Sequence, residues 1–258
     1  MDIAEVDVCF RLREGMMDVS GQTAPLSTNG FMMQQIAPYP ERMYLECMVG
    51  PIIRRGVEHA IWELEYMVKE CNAKLCKVYA PEDLGGLDDR RLWPFYEKAC
   101  ELDIALTVHT GMSYVVPQPS CHTHPDRLDQ VLLDFPELKI IAYHMGWPHT
   151  EELIGLAGKH TNLYLSMSGI IGWYARSPYR GYHAIGTALQ WVEPHKIVMG
   201  LDLTFDDMKR VVDWVRTLQI PEELREQYGY LEITEEMRKG FLGTNLARLA
   251  KIEPNKRV

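Results

Sequence analysis

Residues 104–112 read IALTVHTGM, and residues 139–147 read KIIAYHMGW. Each is an apolar run rich in β-branched residues that stops at a histidine, His109 or His144, with a glycine two residues further on, Gly111 or Gly146. Nearly continuous apolar runs of this length suit strands buried on both faces, as in a parallel sheet covered by helices. A third run, KIVMGLD at 196–202, ends on Asp202 with Gly200 just before it. Outward from these, strand-like runs recur at 6–10 (VDVCF), 43–49 (MYLECMV), 74–79 (KLCKVY) and 163–168 (LYLSMS), which makes seven candidates.

Helical patterns fill the intervals. Val57, Ala60, Ile61, Leu64, Met67, Val68 and Cys71 recur at three- and four-residue spacing, with Glu63, Glu65, Lys69 and Glu70 between them. That pattern predicts one apolar and one wet helix face. A segment opening at Asp88 tolerates Pro94 in its early turns and sets Leu92, Phe95 and Ala99 on a common side. Thr150 is placed to cap a helix whose first turn carries Glu151 and Glu152, where carboxylates suit the positive end of the dipole. Strand alternating with helix implies a parallel sheet with right-handed crossovers. The expected fold is therefore α/β, a (β/α)8 TIM-barrel-like single domain over residues 1–258 with its first strand missing, since seven strands are countable. GMMDVSGQTAPLSTNG at 15–30 reads as a long mobile loop after the first visible strand.

A formal charge of −9 and a pI near 5.5 argue against nucleic-acid binding, because the surface repels phosphate and carries no basic stripe. No segment has the roughly eighteen apolar residues of a membrane span, and the N-terminal MDIAEVDVCF lacks the pattern of a signal peptide. A cytoplasmic protein is expected. The six cysteines form no CxxC pair and read as reduced core thiols rather than disulfides or a cysteine zinc site. A homodimer is the default assembly.

His109, His144 and Asp202 each end a predicted strand, and in a parallel barrel those ends surround one mouth. Imidazole nitrogen and carboxylate oxygen together suit zinc, manganese or iron with a position open for chemistry. One strand-end histidine is usually structural; three such residues in register point to a site. Lys77 alternates inward and either meets a substrate carboxylate or pairs with an interior acid. Trp147 and Trp173 follow strand ends and can wall the pocket, and Arg54 and Arg55 are either carboxylate binders or a solvated pair. His122 and His124 have the spacing of a strand HxH but stand among Pro119, Ser120 and Pro125, which favours a surface or mouth-lining role over ligation.

TVHTG at 107–111, IIAYHMGWP at 140–148 followed by HTEEL, NLYLSMSG at 162–169, IVMGLD at 197–202 and FLGTNLARL at 241–249 together resemble the amidohydrolase-related barrel family. That family includes aminocarboxymuconate semialdehyde decarboxylase and γ-resorcylate decarboxylase. The similarity runs from about residue 1 to 250, in the family's motif order. It implies that His109 is a metal ligand, His144 an acid/base beside the metal, and Asp202 a ligand or proton acceptor. The implied cofactor is one divalent ion, zinc or else manganese or iron. The implied chemistry is hydrolysis or non-oxidative decarboxylation of a small carboxylated substrate, with Lys77 and Trp147 as candidate substrate contacts. Asn245 and Arg248 in the final helix read as structural.

Two departures matter. No HxH or ExH strand precedes Val6, so ligands that the family takes from that strand have no counterpart here. The expectation is weak metal binding or none by the chain as given, unless another chain completes the barrel. The alternative reading is a catalytically inert, metal-poor relative that acts as a binding or partner subunit. The second departure is LDLTFDD at 201–207, which lacks the aromatic and proline usual after the aspartate.

Overall fold

The computed structural model describes residues 1–12, 27–113, 119–202 and 207–253. Among the described residues there are seven strands: β1 (Cys9–Leu12), β2 (Met43–Met48), β3 (Leu75–Val78), β4 (Ala105–His109), β5 (Ile140–Tyr143), β6 (Leu163–Ser166) and β7 (Ile197–Val198). They pair in chain order, every pair parallel. The helices are α1 (Asn29–Ile36), α2 (Ile52–Arg55), α3 (Val57–Lys69), α4 (Trp93–Glu101), α5 (Arg127–Asp134), α6 (Thr150–Lys159), α7 (Ile170–Arg176), α8 (Pro178–Trp191), α9 (Met208–Arg216), α10 (Glu222–Tyr228), α11 (Glu235–Lys239) and α12 (Asn245–Leu249). Residues from all seven strands, among them Phe10, Glu46, Lys77, His109, Tyr143, Ser166 and Val198, line one cavity, so the sheet curls around it as an incomplete barrel. No ladder joins β7 to β1 among the described residues. On that side Arg216 of α9 forms an ion pair with Glu5, beside the short helical turn Asp2–Ala4.

Alternation along the strands separates two cores. Outward-facing Cys47, Cys76, Leu106, Ala142 and Leu165 pack against helix residues such as Leu64, Phe95, Leu128 and Leu153. Inward-facing Leu75, Ala105, Ile141 and Val198 form an apolar floor closed by Leu249 of α12 and the following Ala250. Phe95 has no exposed surface, and truncating such a side chain typically costs about 3–5 kcal/mol.

The boundaries shift where side chains compete with the ladder. β1 begins at Cys9 rather than Val6 because the Arg42 guanidinium takes the carbonyls of Val6 and Asp7, at 2.8 and 3.0 Å. The strand expected over 196–202 pairs only at Ile197–Val198, and Met199 N–H donates instead to Phe241 O at 3.1 Å. The helix expected from Asp88 starts at Trp93, after a short turn in which Asp89 accepts from Arg91 N–H at 3.0 Å. Thr150 does not cap α6; it is its first residue, and His149 holds the cap position without a side-chain cap bond. The anticipated helix at 57–71 forms as α3, burying Ala60, Leu64 and Met67. Of the expected loop over 15–30, residues 15–26 lie outside the described residues, and Thr28 caps α1 through Phe31 N–H at 3.0 Å. The cysteines are unpaired thiols, with Cys47 and Cys76 buried and Cys121 exposed rather than in the core. No described helix is long and apolar enough to cross a membrane.

Candidate active site

Above the apolar floor lies a polar layer. Glu46, Lys77 and Thr107 point inward from β2, β3 and β4 and are buried, each less than a tenth exposed. Glu46 accepts from the Thr107 hydroxyl, and its Oε1 accepts from Tyr143 OH at 2.7 Å. The Lys77 ammonium sits 4.1 Å from the centroid of the Tyr143 ring. Burial, with Glu46 beside it, raises the Tyr143 phenol far above its ordinary pKa, so it stays a neutral donor.

The next layer holds the strand-end histidines. His109 Nδ1 and His144 Nε2 are 3.0 Å apart. Their other nitrogens meet backbone carbonyls: His109 Nε2 faces Met112 O at 3.2 Å, and His144 Nδ1 faces Ser168 O at 2.7 Å. The local backbone explains the glycines. His144, Met145 and Gly146 take φ of 65°, 50° and 67°, three successive left-handed residues that turn the chain sharply at the end of β5. A Cβ on Gly111 would lie 2.1 Å from Trp147 O, so only glycine lets the two connections after β4 and β5 touch.

Burial holds both imidazoles neutral. His144 is lowered to about 4 by desolvation and then by the Lys77 charge, against the opposing effects of Ser168 O and Asp202. His109 is lowered well below the usual range by desolvation, by His144 and by Lys77. A conflict follows. Each of the three contacts needs one proton, and two neutral rings carry only two between them. The pair is thus one proton short, and an added proton can be shared along the line between Nδ1 and Nε2.

Asp202 lies in the same cavity with φ 50°. A Cβ on Gly169 would lie 2.9 Å from Asp202 Oδ2 and 2.8 Å from His144 Nδ1, so the carboxylate stands near the carbonyl-bonded side of that ring. Among the described residues one set of three potential ligand side chains brings its atoms within 4.8 Å of one another, and it is His124, His149 and Glu152, not His109, His144 and Asp202. The strand-end residues therefore do not fit a three-ligand ion as they stand.

The cavity, about 1920 Å3, has predominantly apolar and aromatic walls. Trp147 and Trp173 meet edge to face at 5.4 Å, and Tyr79 packs edge-on to His109 at 5.4 Å. Ser168 Oγ is buried on the lining without a hydrogen-bond partner among the described residues. Arg54 and Arg55 do not reach the cavity: Arg54 donates to Glu82 O at 3.1 Å, and Arg55 pairs with Glu63 at 2.8 Å. Asn245 donates to the carbonyls of Pro194 and Ile197, at 3.0 and 2.8 Å, a structural role, whereas Arg248 borders the cavity. Of LDLTFDD, residues 203–206 lie outside the described residues. Sequence reading missed Glu46; the available signal was an acid placed inward in the otherwise apolar run MYLECMV.

A parallel α/β barrel with imidazoles and a carboxylate at its strand ends defines the class, a barrel enzyme fold whose candidate site is at the C-terminal mouth. The chain belongs to the Amidohydrolase family, whose profile matches residues 32–250. No functionally curated protein matches it. It is similar in structure to an uncharacterized TIM-barrel protein from Bordetella bronchiseptica, with TM-score 0.74 and 20% identity over 96% of this chain and 79% of that one. It is also similar to 5-carboxyvanillate decarboxylase from Sphingomonas paucimobilis, with TM-score 0.70 and 18% identity over 98% and 81% of the two chains. A third similar structure is dihydroxybenzoic acid decarboxylase from Polaromonas sp. JS666 with bound manganese and 2-nitroresorcinol, with TM-score 0.63 and 20% identity over 86% and 73%.

Proposed function

We propose that the protein is a carboxy-lyase that removes CO2, without oxidation, from a small hydroxylated aromatic carboxylate. The observation that carries this reading is the neutral His109–His144 pair, in contact at 3.0 Å, beside the buried Lys77 cation in an aromatic-walled cavity. The names of the similar decarboxylases support the substrate class.

Lys77 takes the substrate carboxylate, and the aromatic ring lies against Trp147 and Trp173. The imidazole pair, one proton short, accepts the phenolic proton of the substrate. The resulting imidazolium is favoured by the nearby Asp202 carboxylate, which acts against the effects that keep His144 neutral. His144 then delivers that proton to the ring carbon bearing the carboxylate. The carbon–carboxylate bond breaks, its electron pair restores the aromatic ring, and CO2 departs. The phenoxide regains a proton from solvent. A positioned acid/base of this kind typically contributes about 10²–10⁴-fold.

The test is incubation with 2,6-dihydroxybenzoate and 5-carboxyvanillate, with and without added manganese, following CO2 and the decarboxylated phenol. Product formation that His144→Ala abolishes supports the reading. Binding at the mouth without turnover of any hydroxybenzoate would leave the inert, ligand-binding relative instead.

A further inference from the structure

A second histidine cluster lies outside the cavity, on the rim. His124 follows the turn Ser120–Thr123 in the connection after β4, and His149 and Glu152 stand at the start of α6. Glu152 Oε2 is 3.3 Å from His124 Nε2 and 3.1 Å from His149 Nδ1, and the two rings are 4.2 Å apart at their centroids. Behind them Asp126 Oδ1 is 2.7 Å from His124 Nδ1.

We infer that His124, His149 and Glu152 form a binding site for a divalent transition-metal ion such as zinc, distinct from the barrel mouth. Two independent observations point to it. The first is geometric. Bonds of about 2.1 Å at a tetrahedral centre hold neighbouring ligand atoms about 3.4 Å apart, and the ligand atoms here already lie within 4.8 Å of one another. The second is the carboxylate of Asp126 behind the His124 ring. The 2.7 Å contact with a carboxylate requires the proton of His124 on Nδ1. That leaves Nε2 as the atom facing Glu152 Oε2, at 3.3 Å, and so as the atom offered to an ion between them. A carboxylate behind the distal nitrogen is also the arrangement that orients metal-binding imidazoles.

The side chains of His124, His149 and Glu152 are 30%, 37% and 58% exposed, so an ion can enter and keep water on the remaining position. The ion would fasten together two connections that sequence places apart. The first is anchored by Thr123 Oγ1 donating to Gly111 O at 2.5 Å, close to the Met112 carbonyl that faces His109. The second follows the left-handed turn at His144. The site would thus stiffen the rim beside both catalytic strands, and it stands whether or not the carboxy-lyase reading does.

The test uses zinc chloride with the full chain carrying His109→Ala, which removes one strand-end imidazole. Calorimetry and elemental analysis after gel filtration should find about one zinc per chain, and zinc should raise the melting temperature. Adding Glu152→Gln, a change at an exposed position, or His149→Ala should weaken binding by about tenfold or more and abolish the thermal shift. Asp126→Asn should weaken it by about 10–100-fold. Zinc bound equally well by the Glu152→Gln and His149→Ala proteins, or no zinc retained by His109→Ala alone, would overturn the site.

Discussion

Two pairs of imidazoles link the end of β4 and its following connection to the connection after β5, and they differ in almost everything except residue type. The inner pair, His109 and His144, is deeply set, faces the Lys77 cation and spends its outer nitrogens on backbone carbonyls. The outer pair, His124 and His149, is half exposed and surrounded by Asp126 and Glu152. Burial and a neighbouring cation keep the inner rings neutral, the state from which the proposed proton transfer starts. Carboxylates and water make the outer rings seek a cation. The lesson is that histidine specifies a chemistry only through its neighbours, which here come from different strands and helices.

The largest effect expected is on turnover by His144→Ala: a fall in kcat of about 10²–10⁴-fold, with zinc binding at the rim unchanged. Loss of both functions together would collapse the distinction between the pairs. Next comes Lys77→Met, which should raise KM by roughly 10–100-fold, the worth of a hydrogen bond to a charged group. It should also move the acidic limb of the pH–rate profile upward, because Lys77 lowers both imidazoles. A Lys77→Met protein with an unmoved limb would show that desolvation alone sets the inner pair.

Acid titration sharpens the contrast further. The fold favours neutral His144, lowered to about 4 from the ordinary 6.5, so the unfolded chain binds its proton more readily. The stability this contributes is fully present above about pH 6.5 and is lost as pH falls through about 4. Urea melts at pH 7, 5.5 and 4 should show the loss, reduced in His144→Ala. The smallest effect belongs to Arg55→Ala. Its guanidinium is held by Glu63 and the Val49 carbonyl away from the cavity, so KM should not change measurably in a steady-state assay.

Most of the fold was legible because strand and helix periodicities are local. The run Ile140–Tyr143, the helix face of Ala60, Leu64 and Met67, and the positions of His109 and His144 at strand ends all follow from residue order. Glycine at 111 and 146 announced the tight turns, since a left-handed or crowded backbone excludes a Cβ. Other features needed partners from distant segments. Arg42 shortens the start of β1 from beyond α1, the Phe241 carbonyl takes the amide that would have extended β7, and His149 rather than Thr150 stands at the cap of α6. The sequence alone thus determined the alternating parallel architecture and which side chains reach the mouth, because pleat and helix period fix facing along a single segment. Only the tertiary structure decided that His109 meets His144 above Lys77 while His124 meets His149 and Glu152 at a half-exposed rim, because curling the sheet sets the contacts between connections and the solvent each one sees.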